Sequence, residues 1–197
     1  PFSCGYYAAQ KADNLDASDT VIVFGAGPIG LGVVAAANAK GARVIIAEPS
    51  QARIEVAKKL GAESSFDPSA ADAVEQAMKL TDGIGATVVF EASGKPQAMA
   101  MAFQVAAFRA RLVNIGINVG DSATAELGLI QSKELQVRGI IGSPGVWPET
   151  IRFLAKTGID LSPLVTKQFD IADAASAYDA VLNDKSQIKV HIQSTAN

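Results

Sequence analysis

Seven positions stand out as able to do chemistry: the run Gly25-Ala26-Gly27-Pro28-Ile29-Gly30 and, further on, Glu48. The run reads Gly-x-Gly-x-x-Gly. In such a run the first glycine permits a sharp turn, the second lets the backbone approach a pyrophosphate, and the third lets a helix pack closely on a strand. Pro28 suits the first helical position, where its missing N–H removes no hydrogen bond. With Ile29 it opens a helix whose free N–H groups and positive dipole end would face phosphates. Glu48 stands where a carboxylate can accept from both ribose hydroxyls of an adenosine. This is a chemistry of holding, and it predicts a dinucleotide gripped by its phosphates and one ribose. Arg53 follows in the next helix, on the adenosine side. It reads equally well as a ligand contact or as a solvated helix charge.

The other reactive side chains are isolated. The chain has one histidine and one cysteine. His191 falls on the polar phase of an alternating strand, and Cys4 sits in an apolar helix where packing is the better reading. Tyr7 and Lys11 share the Tyr-x-x-x-Lys spacing that short-chain dehydrogenases use for proton transfer. There the pair follows the glycine turn, whereas here it precedes one of different spacing, so it is read as coincidence. No residue is assigned a catalytic role, and none is assigned to a metal.

Elements that would position these residues are visible in the apolar pattern. The run 21–24 is short and β-branched, as a buried parallel strand should be. An Ala-rich helix runs on to about Lys40 and Gly41 stops it. A second strand, 44–47, ends on Glu48. Ser50 is placed as the cap of a helix over 51–60, closed by Gly61. A third strand is expected over 64–66, and a helix from Asp67-Pro68-Ser69 to Leu80. After a turn at 81–85 comes a fourth strand, 86–90, leading into Glu91-Ala92-Ser93-Gly94. Pro96 starts the next helix. A fifth strand over 111–115 ends at Gly116-Ile117-Asn118, and 135–141 completes a sixth. Six strands with helices between most of them predict an α/β, doubly wound, parallel six-stranded sheet, a Rossmann fold. Its strand tips should bring Gly25, Glu48, Ser93-Gly94 and Gly116-Ile117 to one edge, where ligands bind as the strand order reverses. Beyond it a leading helix (1–12) and a C-terminal set remain: a helix over 148–156, a strand over 164–169, a helix over 172–182 capped by Asp170 or Asp173, and a strand over 187–193.

Composition narrows the class. Of 197 residues, 49% are hydrophobic and 19% charged, enough for a real core and against disorder. The net charge of −3, with no basic block, argues against nucleic acid as partner. A single cysteine excludes a disulfide framework and the absence of a Cys pair argues against structural zinc. It fits a reducing compartment, so a cytoplasmic protein is expected. Gly, Pro and charges break every apolar stretch before the roughly 20 residues of a membrane span, and no signal peptide is visible.

In order along the chain, Pro1-Phe2-Ser3, the glycine run, Glu48 with Arg53, Lys58-Lys59-Leu60-Gly61-Ala62, Val88-Val89-Phe90-Glu91-Ala92-Ser93-Gly94 and Gln187-Ile188-Lys189-Val190 form a pattern. Through it the chain resembles the cofactor-binding part of zinc-type medium-chain dehydrogenases, in the sorbitol, butanediol and threonine dehydrogenase branch. The resemblance covers essentially the whole chain. It implies NAD as cofactor and oxidation of a small-molecule alcohol or polyol, with hydride passing to the nicotinamide while a zinc ion polarises the alcohol oxygen. It places Ser93, Gly94, Gly116 and Ile117 near the nicotinamide half and Lys189 near the pyrophosphate. Residues 1–157 would be the NAD-binding Rossmann domain with its leading helix. Residues 158–197 would be an extension resembling the return into a catalytic domain, left without a partner to pack on.

The departures from the family pattern set further expectations. The family's zinc ligands lie in an N-terminal catalytic domain that this chain lacks, so zinc is expected only there and the chain alone is expected to be inactive. A stand-alone NAD-binding or NAD-sensing module without catalysis is the alternative. The turn before the fifth strand usually reads Gly-Gly in the family; here it is Arg109-Ala110, which must take another form or accept strain at positive φ. By resemblance, a homodimer is expected through the sheet edge at 123–127 and 135–141, with no nucleic acid or membrane partner.

Overall fold

The computed structural model describes residues 1–117, 120 and 122–194. Helix α1 (Phe2–Lys11) leads into the apolar run that becomes β1 (Thr20–Phe24). Pro28 opens α2 (Pro28–Ala39), and β2 (Arg43–Ala47) follows. Gly41, at φ 89°, ends the helix by giving its N–H to the Asn38 carbonyl at 2.8 Å. Next come α3 (Gln51–Lys59), β3 (Ala62–Phe66), α4 (Ala73–Leu80), β4 (Ala86–Glu91), α5 (Pro96–Val105) and β5 (Ala106–Asn114). The short α6 (Leu129–Ser132), β6 (Gln136–Gly139) and α7 (Trp147–Thr157) close this unit.

Six strands pair in parallel in the order β3-β2-β1-β4-β5-β6. This is the doubly wound fold expected, with the order reversing between β1 and β4. Side chains of a strand alternate between faces, and the core divides accordingly. Val21, Val23, Val44, Ile46, Val88 and Phe90 pack beneath α1 and α2, whereas Ile22, Phe24, Ile45 and Val89 pack with residues of α4 and α5 such as Ala77 and Phe103. On the first side α1 crosses α2 backbone to backbone: a Cβ on Gly5 would stand 2.5 Å from the Gly32 carbonyl carbon.

Several local expectations are corrected. Ser50 occupies the cap position of α3 but makes no side-chain cap hydrogen bond. The helix expected from Asp67 begins at Ala73. The Asp67 carboxylate accepts from the Ser69 hydroxyl at 2.6 Å and the Ser69 N–H at 2.8 Å. Those bonds hold its carboxyl below the usual range and close a turn that competes with helix. Strand β5 starts directly after α5, and its pairing with β4 shifts register between Ala86 and Val88. Arg109, φ 60°, sits in that irregular stretch, so the chain accepts the strain that a glycine would avoid. Its N–H donates to the Lys133 carbonyl at 2.7 Å and its guanidinium to Glu134 at 2.8 Å. Lys133 in turn gives its ammonium to the carbonyls of Gln104 and Ala106, both at 2.8 Å, capping the end of α5. Residues 123–127, expected at the sheet edge, form no strand, and β6, exposed along its length, is the edge strand on that side. Asn118, expected at the end of the fifth strand, lies outside the described residues.

The C-terminal residues build a second, two-stranded sheet from β7 (Val165–Asp170) and β8 (Lys189–Gln193), parallel and joined through α8 (Ala174–Asn183). The Asp170 side chain accepts from the Ala172 N–H at the turn before α8. This unit does have a surface to pack on. Leu164 and Ile188 are buried in the same core as α1 and α2, while Ile192 is 46% exposed. His191 is exposed, as its phase predicted.

Candidate functional site

The tips of β1, β2, β4 and β5 meet where the strand order reverses. Gly25, φ 92°, turns the chain out of β1, and its N–H donates to the Ala47 carbonyl at 2.9 Å, tying β1 to β2. Any Cβ on Gly30 would overlap the Gly25 carbonyl oxygen. That glycine is needed so that α2 can start against the strand it leaves. Gly27 differs, because a Cβ there would meet nothing within 4 Å. Protein packing does not demand glycine at Gly27; what its small size does is keep clear the approach to the first N–H groups of α2.

Glu48, only 6% exposed, lies beside this turn. One carboxylate oxygen accepts from the Ala26 N–H at 2.8 Å, the other from the Ser50 N–H at 3.1 Å. Two backbone donors thus fix the carboxylate, and each oxygen keeps lone-pair capacity for a further donor.

A second carboxylate, not identified as a site residue from sequence, closes the other wall. Glu91 ends β4 with 0% exposure. It accepts from the Ser93 N–H at 2.8 Å, from the Ser93 hydroxyl, and from the Gly94 N–H at 3.1 Å. Its main-chain carbonyl accepts from the N–H groups of Ile115 and Gly116 at 2.8 and 2.9 Å. The tips interlock tightly. A Cβ on Gly25 would come within 3.0 Å of the Ser93 Cβ, and one on Gly94 within 2.9 Å of the Ile117 carbonyl oxygen. A Cβ on Gly116 would overlap the Gly94 nitrogen and stand 2.6 Å from the Glu91 carboxylate.

Between these walls lies a cleft of about 300 Å³, lined by Cys4, Ile29, Ala92, Ser93, Ile115, Gly116, Ile117, Ile141 and Gly142. Its lip is apolar and open, since Ile117 is 70% and Ile141 79% exposed. Cys4, read from sequence as a packing residue, lines this cleft from α1; only knowledge of how α1 crosses α2 would have put it there. Glu91 left a fainter trace, an acid at the end of an apolar strand as at Glu48.

Gly25, Gly27, Pro28, Ile29, Gly30, Glu48, Ser93, Gly94, Gly116 and Ile117 therefore stand at the one edge expected. Of these, Ile29, Ser93, Gly116 and Ile117 line the cleft itself, whereas Arg53 and Lys189 are engaged with the C-terminal residues. The Arg53 guanidinium donates to the Gln187 carbonyl at 2.7 Å, while its Nε is buried without a hydrogen-bond partner. The turn before Gln187 is held by Asp184, whose carboxyl the Ser186 hydroxyl and the Gln187 amide lower to about 2. Lys189 lies on β8, paired with Val165 of β7. Tyr7 and Lys11 are neighbours on α1, the ammonium 4.9 Å from the ring centre. Among the described residues no three His, Cys, Asp or Glu side chains come together as a metal site would need, and no helix is long and apolar enough to cross a membrane.

A doubly wound parallel sheet with a glycine turn and an acid at its reversal point is a Rossmann-like α/β domain. The zinc-binding dehydrogenase family matches residues 28–156, and the chain belongs to it. It is 31% identical to the sorbitol dehydrogenase of Bacillus subtilis over 188 residues, covering 95% of this chain and 53% of that one. Among solved structures, 2R,3R-butanediol dehydrogenase from Bacillus subtilis superposes with a TM-score of 0.87 at 32% identity, over 98% of this chain and 55% of the other. An alcohol dehydrogenase from Escherichia coli, solved in complex with NADH, superposes with a TM-score of 0.84 at 27% identity, over 96% and 57%. The chain spans about half the length of the curated relatives it matches.

Proposed function

We propose that this chain is the NAD(H)-binding part of an oxidoreductase that oxidises an alcohol or polyol. One observation carries the reading: a buried carboxylate, Glu48, pinned by two backbone N–H groups beside the glycine turn at the sheet's reversal point. The residues present fit a dinucleotide. Gly27 leaves the α2 N-terminus approachable by a pyrophosphate, and Glu48 keeps acceptor capacity for the two ribose hydroxyls. When bound, the nicotinamide supplies the hydride-accepting chemistry. Ile29, Ser93, Gly116 and Ile117 form the apolar cleft that orients its ring and limits water.

NAD is preferred over NADP in this reading. A 2′-phosphate would face a carboxylate that its two donors prevent from swinging away. The repulsion reaches roughly 4 kcal/mol per charge pair at 4 Å and an effective dielectric of 20. Arg53, whose guanidinium donates to the neutral Gln187 carbonyl and keeps its charge, offsets part of this. Lys189 is proposed at the pyrophosphate by family resemblance. Calorimetric titration with NADH and NADPH tests the reading; equal or tighter NADPH binding overturns it.

The described donor set does not fit a zinc ion. The reading assigns zinc to residues outside this chain, and this chain alone to cofactor binding without alcohol turnover. Residues 1–157 are taken as the binding domain and 158–197 as an extension toward the rest of the enzyme. A single cysteine suits a cytoplasmic setting. The exposed edge of β6 supports pairing of two copies into one sheet. Light scattering at micromolar concentration tests that, with Val137→Pro expected to yield monomer.

A further inference from the structure

We infer that Glu91 is the positioning residue of the nicotinamide half of the cleft. It has no reach to the cofactor itself, since its carboxylate is wholly buried behind Ser93 and Gly94. It acts through what it holds. Its side chain gathers the Ser93 N–H, the Ser93 hydroxyl and the Gly94 N–H, and its carbonyl gathers the Ile115 and Gly116 N–H groups. One residue therefore fixes both turns that form the cleft floor, at β4 and at β5. The fit is close: Gly116 must lack a Cβ for its backbone to lie against Gly94 and the carboxylate.

A carboxylate suits this task better than any neutral side chain. Its oxygens are acceptors only, and charge-assisted bonds to N–H and O–H donors are about twice as strong as neutral ones. Glutamine in its place could keep one amide oxygen for the Ser93 donors, but its NH2 would then face the Gly94 N–H, donor against donor. The turns would relax, and the floor under Ser93, Gly116 and Ile117 would lose its fixed height. The glycine turn and Glu48 lie on the other wall with their own hydrogen bonds, so the adenosine half would keep its shape.

This inference rests on the reading that the cleft takes a nicotinamide dinucleotide, and the test separates the two. Full-length wild type and Glu91→Gln are titrated with NADH and with ADP-ribose, which carries the adenosine, pyrophosphate and second ribose but no nicotinamide. The expected result is an NADH Kd raised about tenfold in Glu91→Gln, with ADP-ribose affinity within twofold of wild type. Bound-NADH fluorescence should fall toward that of free NADH as the ring loses its fixed seat. Ser93→Ala, which removes the hydroxyl that donates to Glu91 and accepts from the exposed Lys95 N–H, should fold normally and raise the NADH Kd about threefold with ADP-ribose unaffected. It keeps the inference testable should Glu91→Gln not fold. Unchanged NADH binding in both variants, or equal losses for the two ligands, overturns the positioning role. Wild-type protein that binds neither ligand overturns the dinucleotide reading and this inference with it.

Discussion

The tips of β2 and β4 make the same construction with different outcomes. Each ends in a buried glutamate whose carboxylate turns back to receive the N–H groups of an adjoining turn. Glu48 receives two donors, one from the glycine turn and one from its own strand's exit, and keeps a 6% opening to solvent. Glu91 receives three from one turn, is shut off from solvent, and sends its carbonyl to a neighbouring strand besides. A strand-tip carboxylate is thus first an organiser of backbone donors. Whether it also meets a ligand depends on the lone pairs left over and on whether anything stands in front of it. Glu48 has lone pairs to spare and an opening in front of it, whereas Glu91 gathers its three donors on one oxygen and is shut off from solvent.

Substitutions break that comparison in graded steps. Glu91→Ala leaves three part-buried donors of Ser93 and Gly94 without their acceptor, at about 1–3 kcal/mol for each unsatisfied group. It should cost the most, about 3–5 kcal/mol in denaturant-derived stability, and a loss below 1 kcal/mol would count against the network. Glu48→Ala frees two donors rather than three and should cost less, about 1–2 kcal/mol. Its signature lies in calorimetry, where the preference for NADH over NADPH should shrink at least tenfold; an unchanged ratio would remove Glu48 from the ribose. Arg53→Ala sharpens the contrast by asking what else supports the Glu48 side. It should open residues 184–193 to faster amide exchange, with a stability loss of about 1 kcal/mol and a modest further rise in the preference for NADH over NADPH. Arg109→Gly lies far from both carboxylates and serves as control. Relief of the positive φ should stabilise the chain by up to about 1 kcal/mol, and lost pairing with exposed Glu134 should offset little of that.

Sequence and structure agree where a local pattern has only one economical solution. The run 21–24, the glycine turn and Pro28 specify strand, turn and helix without help from the rest of the chain. The sheet order follows from helices placed between strands. Disagreement gathers where side chains outvote propensity. Asp67 looks like a helix start until its carboxylate is seen spending itself on Ser69, which delays α4 to Ala73. Arg109 at positive φ is tolerated because Lys133 and Glu134, remote in sequence, hold it from outside. The Gly25-to-Glu48 wall is written in one continuous stretch, and Ser93-Gly94 and Gly116-Ile117 of the opposite wall are legible as strand tips. Cys4 and Glu91 join them only through the fold, and no spacing rule links those two.

The crossing of α1 over α2 at Gly5 and Gly32 has a mechanical consequence. Helices that mesh through side chains can slide by small rotamer changes, as packed helices do in shear motions. Here backbone rests on backbone at the crossing, with no side chain to act as bearing. The two helices form one stiff strut, with Cys4 near the crossing and the N-terminal end of α2 a turn away. Any hinge that opens or closes this cleft must therefore carry α1 and α2 together, and the give has to come from the wall opposite.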